Sequence, residues 1–349
     1  VQSPEIQSGE FAFMKKKLSA VVAAGLLGYA GNVAAREPII DMHVHALAAD
    51  DQGPPPLAMC TPLNPMPTWD NSKTILDMFV GTFKKPNCTD PIWSPETTEE
   101  VMRRSLAVME KHNVIGVVSG RMKLLQAWKA ASPDRVMPSL MPDLPIPKEF
   151  GKELADIKKS GGITVLGELG FQYEGIAPND AQLKELWAVA EANDVPVAIH
   201  MGPGAPGIAY FPGSGYRAKL SNPTLLEDVL VKHPKLRVNI MHAGFPYLDD
   251  TMALLYAHPQ VYLDTGVIVY TQPRTTFYHY LQSLVDAGFG ERIMFGSDQM
   301  VWPETIERSI QIIKDAPFLN EAQKRNILYN NAARFLRLDA ATIAKHQSM

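Results

Sequence analysis

Asp41-Met42-His43-Val44-His45 follows directly on the apolar pair Ile39-Ile40. A strand has a side-chain period of two, so His43 and His45 point to one face, and two imidazoles on one face can grip one metal ion. Three more residues of ligand type each end a short apolar run: His200 in Pro196-Val-Ala-Ile-His, His242 in Val238-Asn-Ile-Met-His, and Asp298 in Ile293-Met-Phe-Gly-Ser-Asp. Glu168 stands in the same way in Gly167-Glu-Leu-Gly170. Neutral imidazole and carboxylate suit zinc, iron or manganese. A catalytic centre also keeps a position for water, whose pKa a bound metal lowers to about 7. Asp298 then takes or relays the proton, as general base and also as a ligand.

Six side chains at five strand ends need a scaffold that delivers those ends to one face. Apolar runs at 38–45, 114–119, 136–140, 163–169, 195–200, 236–242, 261–265 and 292–297 read as strands, with helical patterns such as 97–112, 182–193, 224–232 and 276–287 between them. Several runs are continuously apolar, as expected of parallel strands covered by helices. The pattern predicts an α/β protein, a (β/α)8 TIM barrel whose site lies at the C-terminal ends of its strands. A doubly wound sheet is the alternative, but no Gly-rich nucleotide-type turn follows the first strand. The connections after strands one (46–95) and five (201–217) are long, which in a compact domain marks a functional loop. A helical pattern at 321–336 comes near the chain's end. His112, His233 and His258 fall at helix ends, His279 inside a helix and His346 in the tail, and these five read as structural or solvated.

Composition narrows the class further. At 46% hydrophobic and 20% charged, the 349 residues suit a soluble globular protein. A net charge of -4 with no basic stripe excludes a phosphate-backbone surface, so no nucleic-acid partner is expected. Residues 1–13 look like an appended leader. Met14 then opens a secretory pattern: Lys15 to Lys17, an apolar stretch over 18–29, and Val33-Ala34-Ala35 as the cleavage site. A signal peptide over 14–35 leaves a mature domain of 36–349, exported to the periplasm or secreted, with no membrane span after cleavage. An oxidising compartment permits a disulfide between Cys60 and Cys88, the two cysteines of the chain, within the proline-rich first loop. That bridge is expected to hold a substrate-shaping lid over the barrel mouth.

The ordered motifs resemble the amidohydrolase superfamily, and its amidohydrolase-related branch most. Asp41-x-His43-x-His45 is similar to that family's first-strand signature. The segments ending at His242-Ala-Gly, at Asp264-Thr265 and at Phe295-Gly-Ser-Asp298 resemble its sixth, seventh and eighth strands, and Tyr329-Asn-Asn-Ala-Ala-Arg-Phe-Leu336 its closing helix. The resemblance implies a metal-dependent barrel hydrolase or decarboxylase, with His43, His45, His200, His242 and Asp298 around the metal. Many members carry a bridging carboxylated lysine on the fourth strand; this chain has Glu168, which resembles the ligand glutamate of TatD-type hydrolases. One zinc held by His43, His45 and His200 is the first expectation. Two ions bridged by Glu168 is the next, and a glutamate that only orients a histidine is the third.

The expected reaction is hydrolysis of an ester, lactone or amide of a small molecule by metal-activated water, with His242 steadying charge on the carbonyl oxygen. Non-oxidative decarboxylation of an aromatic or unsaturated acid is the alternative, and a ligand-binding barrel without catalysis a third reading. Arg121 after strand two and Arg217 in the fifth loop are placed to bind a substrate carboxylate. Tyr210, Phe211, Tyr216 and Trp302 either wall a pocket or pack the loops. Substrate identity and homo-oligomeric state are left open by the sequence.

Overall fold

Runs that are apolar on both faces form strands where helices cover the sheet. The computed structural model describes residues 36–142, 146–147 and 149–349. The leader and signal peptide expected over 1–35 lie outside the described residues. All eight expected strands are present: β1 (Ile39–Ala46), β2 (Val114–Gly120), β3 (Val136–Leu140), β4 (Val165–Leu169), β5 (Val197–His200), β6 (Val238–Met241), β7 (Val261–Asp264) and β8 (Ile293–Met294). Each pairs in parallel with the next in chain order. The two ends of the sheet meet where Met42 N–H donates to Phe295 O (2.8 Å) and Asp298 N–H to His43 O (2.7 Å). The result is a (β/α)8 barrel. β8 stops earlier than the sequence predicts because the N–H groups that follow leave the ladder: Phe295 N–H donates to Ile327 O (2.8 Å), Gly296 N–H to Thr265 Oγ1 (3.1 Å) and Ser297 N–H to the Asp41 side chain (2.9 Å).

The interior has two layers. In the lower one, Ile40 and Met42 of β1 cluster with Val117, Val165, Ala198 and Met294 from other strands, all buried. The segment Asn331–Leu336 closes this end, with Phe335 and Tyr329 packed on the same cluster. The helical pattern over 321–336 is interrupted by a π turn at Asn326–Asn330. There Ile327 O accepts from Phe295 N–H (2.8 Å), tying the segment to the strand end.

Strict alternation from Ile40 and Met42 would send His43 and His45 outward. A register shift between Asp41 and Val44 adds one residue to β1 against β2. Such a bulge re-aims the side chains that follow it. β4 has a second shift, between Leu166 and Leu169 against β5, so that Val165 joins the lower layer and Glu168 the upper one. Both bulges therefore serve to turn candidate ligands inward.

The long loop after β1 has structure of its own. A short ribbon pairs Ala58–Met59 with Ile92–Trp93, and a disulfide joins Cys60 to Cys88 with Cα atoms 5.9 Å apart. The helix Ile75–Phe83 starts with a capping box between Thr74 and Asp77, which satisfies two amides that would otherwise be orphaned. This loop packs on the loops that follow other strand ends. Leu63 N–H donates to Thr271 O (2.9 Å) and Trp302 Nε1 to Leu57 O (2.9 Å). The Phe79 ring stands 5.8 Å from Phe211 and the Trp69 ring 5.0 Å from Tyr210, on the loop after β5. Among the described residues no helix is long and apolar enough to cross a membrane.

Candidate metal centre

The mouth of the barrel gathers the six candidate side chains: His43 and His45 from β1, Glu168 from β4, His200 from the end of β5, His242 just past β6 and Asp298 past β8. His45 Nε2 lies 3.1 Å from both Glu168 Oε2 and Asp298 Oδ1. His43 Nε2 lies 3.6 Å from the same two oxygens. The other glutamate oxygen, Oε1, is 3.4 Å from His242 Nε2 and 3.9 Å from His200 Nε2. Glu168 therefore spans two histidine pairs, one on each oxygen.

Groups behind the cluster set its orientation. Asp264 Oδ1 sits 3.2 Å from His43 Nδ1 and accepts from Gly266 N–H (2.8 Å), while its Oδ2 accepts from Asn239 (2.7 Å). The carboxylate is acceptor-only, so His43 Nδ1 donates, and in the neutral ring it is Nε2 that offers a lone pair to the cluster. His242 Nδ1 likewise donates to Gly266 O (3.0 Å). Gln299 holds the backbone of His45 from both sides, accepting its N–H (2.8 Å) and donating to its carbonyl (2.7 Å). Close packing leaves no room at two glycines: a Cβ on Gly266 would fall 2.3 Å from His43 Nδ1, and one on Gly202 2.4 Å from His242 Cβ. His242, Val267 and Asp298 have φ of 61°, 52° and 54°, a left-handed conformation costly for side chains of these types. Such strain gathers at functional sites, where the surroundings over-determine it.

Charge in the cluster is shared between imidazoles and carboxylates. Burial pushes His43 and His45 towards the neutral form, but the nearby carboxylates outweigh it. His43 ends well above its ordinary range, and His45 is raised to about 9 by Asp298 and Glu168. Burial alone would raise Glu168, yet His43 and His200 hold it well below the usual carboxylate range. Burial takes His200 down to about 3. Beneath the cluster, burial raises Asp41 to about 7, against the N–H groups of Ser297 and His43 that its Oδ1 accepts.

The side chains fit a divalent cation. His43 Nε2, His242 Nε2, Glu168 Oε1 and Asp298 Oδ1 are buried without a hydrogen-bond partner among the described residues. One such atom costs roughly 1–3 kcal/mol, so four converging on one place call for a shared partner. Ligand atoms lie within 4.8 Å of one another in each of three overlapping groups: His43, His242 and Asp298; His43, His45 and Glu168; and Glu168, His200 and His242. A mixed imidazole and carboxylate set of this kind suits zinc, iron or manganese. Binding a cation would release the protons that His43 and His45 share with the carboxylates.

The remaining candidates are more dispersed. Trp302 is buried and its indole donates to Leu57 O, so it ties down the loop after β1. Tyr216 is buried too, its hydroxyl donating to Gly202 O (3.2 Å) and accepting from Gly204 N–H (3.0 Å). Tyr210 is 65% exposed beside Trp69. Arg217 is exposed, with its guanidinium on Tyr216 O (2.6 Å), and Arg121 is exposed at the start of the helix Met122–Ala131. The other histidines stand apart from the cluster: His233 pairs with Glu191, His346 with Tyr329, His112 lies near Glu307 and His258 near Glu227, and His279 is exposed.

Asp264, Gln172, Tyr173 and Gln299 had no role in the sequence reading. Asp264 ends its strand in the same way as the ligands, which is a usable signal. Gln172 and Tyr173 sit in the turn after β4, and one contacts each nitrogen of His200 (2.9 and 3.0 Å). No motif marks them.

Among solved structures the fold is similar to an uncharacterized TIM-barrel protein from Bordetella bronchiseptica, at 19% identity and TM-score 0.59, covering 88% of this chain and 99% of that one. It is similar to a probable 2-pyrone-4,6-dicarboxylic acid hydrolase from Acinetobacter baumannii with citric acid bound (15%, TM-score 0.55, 86% and 99%). It is also similar to a dihydroxybenzoic acid decarboxylase from Polaromonas with bound manganese and 2-nitroresorcinol (14%, TM-score 0.54, 88% and 99%). Among curated proteins, fluG of Emericella nidulans is 25% identical over 96 residues, which is 28% of this chain and 11% of that protein. A family model described as amidohydrolase matches residues 40–338, from the first barrel strand to the segment that closes its lower end. The chain therefore belongs to the amidohydrolase family, in its amidohydrolase 2 branch.

Proposed function

We propose that the protein is an exported, metal-dependent hydrolase that opens an ester, lactone or amide of a small organic substrate with an activated water. The observation that carries this reading is Asp298: a buried carboxylate that faces the histidine cluster from past the end of β8, its Oδ1 3.1 Å from His45 Nε2 and 3.6 Å from His43 Nε2. His43, His45, Glu168, His200 and His242 are the residues that would hold one or two divalent ions, zinc first. Asp298 serves as base and as ligand. A cation bound there supplies Lewis acidity and lowers the pKa of a water.

The chain's own groups do the rest. Asp298 Oδ1 accepts the proton of the attacking water and returns it to the leaving group. With Nδ1–H on Gly266 O, a neutral His242 offers a lone pair at Nε2, which suits a ligand. It can steady charge on the substrate oxygen only when protonated. The lid and the loop after β5 shape the entrance, with Tyr210 and Arg217 as exposed substrate contacts and Arg121 at the end of β2. The Cys60–Cys88 bridge supports export, since disulfides persist in oxidising compartments.

Decarboxylation of an aromatic or unsaturated acid is the second reading, favoured by the manganese-bearing decarboxylase among the fold neighbours. A panel of lactones, esters, amides and aromatic acids, given to cation-loaded protein, separates the two. Acid release without carbon dioxide is the expected result. Carbon dioxide release selects the second reading, and no turnover across the panel favours a binding barrel.

A further inference from the structure

The proton positions around His200 can be worked out from its neighbours. Ser221 Oγ donates to Gly202 O (2.9 Å), so it accepts from Gln172 Nε2 (2.8 Å). The same nitrogen faces Gly202 O at 3.2 Å, and a carbonyl only accepts. The amide of Gln172 is therefore oriented with Oε1 toward His200 Nδ1, at 2.9 Å. His200 Nδ1 must carry the proton, and Nε2 has the ring's free lone pair. That lone pair accepts from Tyr173 OH at 3.0 Å, with the phenol ring edge-on to the imidazole at 4.8 Å.

His200 Nε2 is also the atom that faces the cluster, 3.9 Å from Glu168 Oε1. One lone pair cannot serve the phenol and a cation together. We propose that Tyr173 is a positioning residue that competes with the cation for His200, so that His200 coordinates only when the Tyr173 hydroxyl lets go. Gln172 fixes the tautomer that makes this competition possible. The long loop after β5 sets where Tyr173 stands: Tyr173 O accepts from Gly215 N–H (2.9 Å), and the Tyr173 ring lies 5.5 Å from that of Tyr216. The inference rests on the cation reading of the cluster and adds a release step to it.

The test uses the full chain with Zn²⁺ as probe, its affinity read by competition with a chelator. Tyr173→Phe is expected to tighten Zn²⁺ binding about three- to tenfold, the range of one hydrogen bond converted to an equilibrium constant. Nitrogen NMR of labelled histidine is expected to show His200 as the Nδ1–H tautomer in cation-free wild-type protein, with the Nε2 signal moving on Zn²⁺ addition. An Nε2–H tautomer, or a Tyr173→Phe protein that binds Zn²⁺ no tighter than wild type, overturns the proposal while leaving the cation reading intact. Wild-type protein that binds no Zn²⁺ overturns both. If Tyr173→Phe does not fold, the wild-type NMR result still decides.

Discussion

The two layers of the barrel interior are built from the same strands and solve opposite problems. The lower layer joins Ile40, Met42, Val117, Val165, Ala198 and Met294 into a close-packed plug of apolar side chains. The upper layer, a few residues further along the same strands, gathers histidines and carboxylates, of which four buried atoms have no hydrogen-bond partner among the described residues. His242, Val267 and Asp298 of the upper layer take left-handed backbone. The plug supplies stability, and the rim spends some of it to hold lone pairs toward one point.

If that division is right, substitutions in the two layers should have different consequences. The largest effect is expected from His43→Ala with His45→Ala, which removes two nitrogen donors: bound divalent metal and turnover should both disappear, as read by elemental analysis and rate. Retention of both would undo the site assignment. Asp298→Asn should keep the fold and lose at least ~10²-fold in rate, the usual scale of general acid–base help. Near-normal turnover would make Asp298 structural. Asp264→Asn should weaken cation affinity about 10–100-fold by unsettling His43, in the range for groups behind a metal ligand. Unchanged affinity would mean that His43 is oriented by packing alone.

The lower layer should answer differently. Ile40→Ala should cost about 2–5 kcal/mol in denaturant unfolding, as for other buried aliphatic truncations, with cation stoichiometry unchanged. A loss of cation at native conditions would show that the layers are not separable. The smallest effect is expected at the lid, where Cys60→Ser with Cys88→Ser should shift substrate affinity a few-fold and leave metal content alone. Thiol titration of denatured, unreduced protein should find no free thiol before that change.

The strand pattern was legible because each barrel strand is a short apolar run closed by a turn signal, and the strand-end positions of His43, His45, Glu168, His200, His242 and Asp298 followed from it. The bulges were not legible. A period of two places His43 with His45 but cannot tell that the pair shares the interior with Ile40 and Met42, since one unpaired residue in β1 reverses the parity. The early end of β8 was equally hidden, because it depends on Ile327, Thr265 and Asp41, all distant in sequence, taking the N–H groups of Phe295, Gly296 and Ser297. Asp264 was visible as a strand-end carboxylate without a role. Gln172, Tyr173 and Gln299 act through hydrogen bonds to histidines distant in sequence, which no local spacing encodes.

A divalent cation in the upper layer is what the proposed chemistry needs. Anomalous diffraction from crystals of the protein supplied with Zn²⁺ or Mn²⁺ tests it most directly. A strong peak is expected among His43 Nε2, His45 Nε2, Glu168 and Asp298. Data of equal quality with no peak there, or with cations only at surface carboxylates, would contradict it.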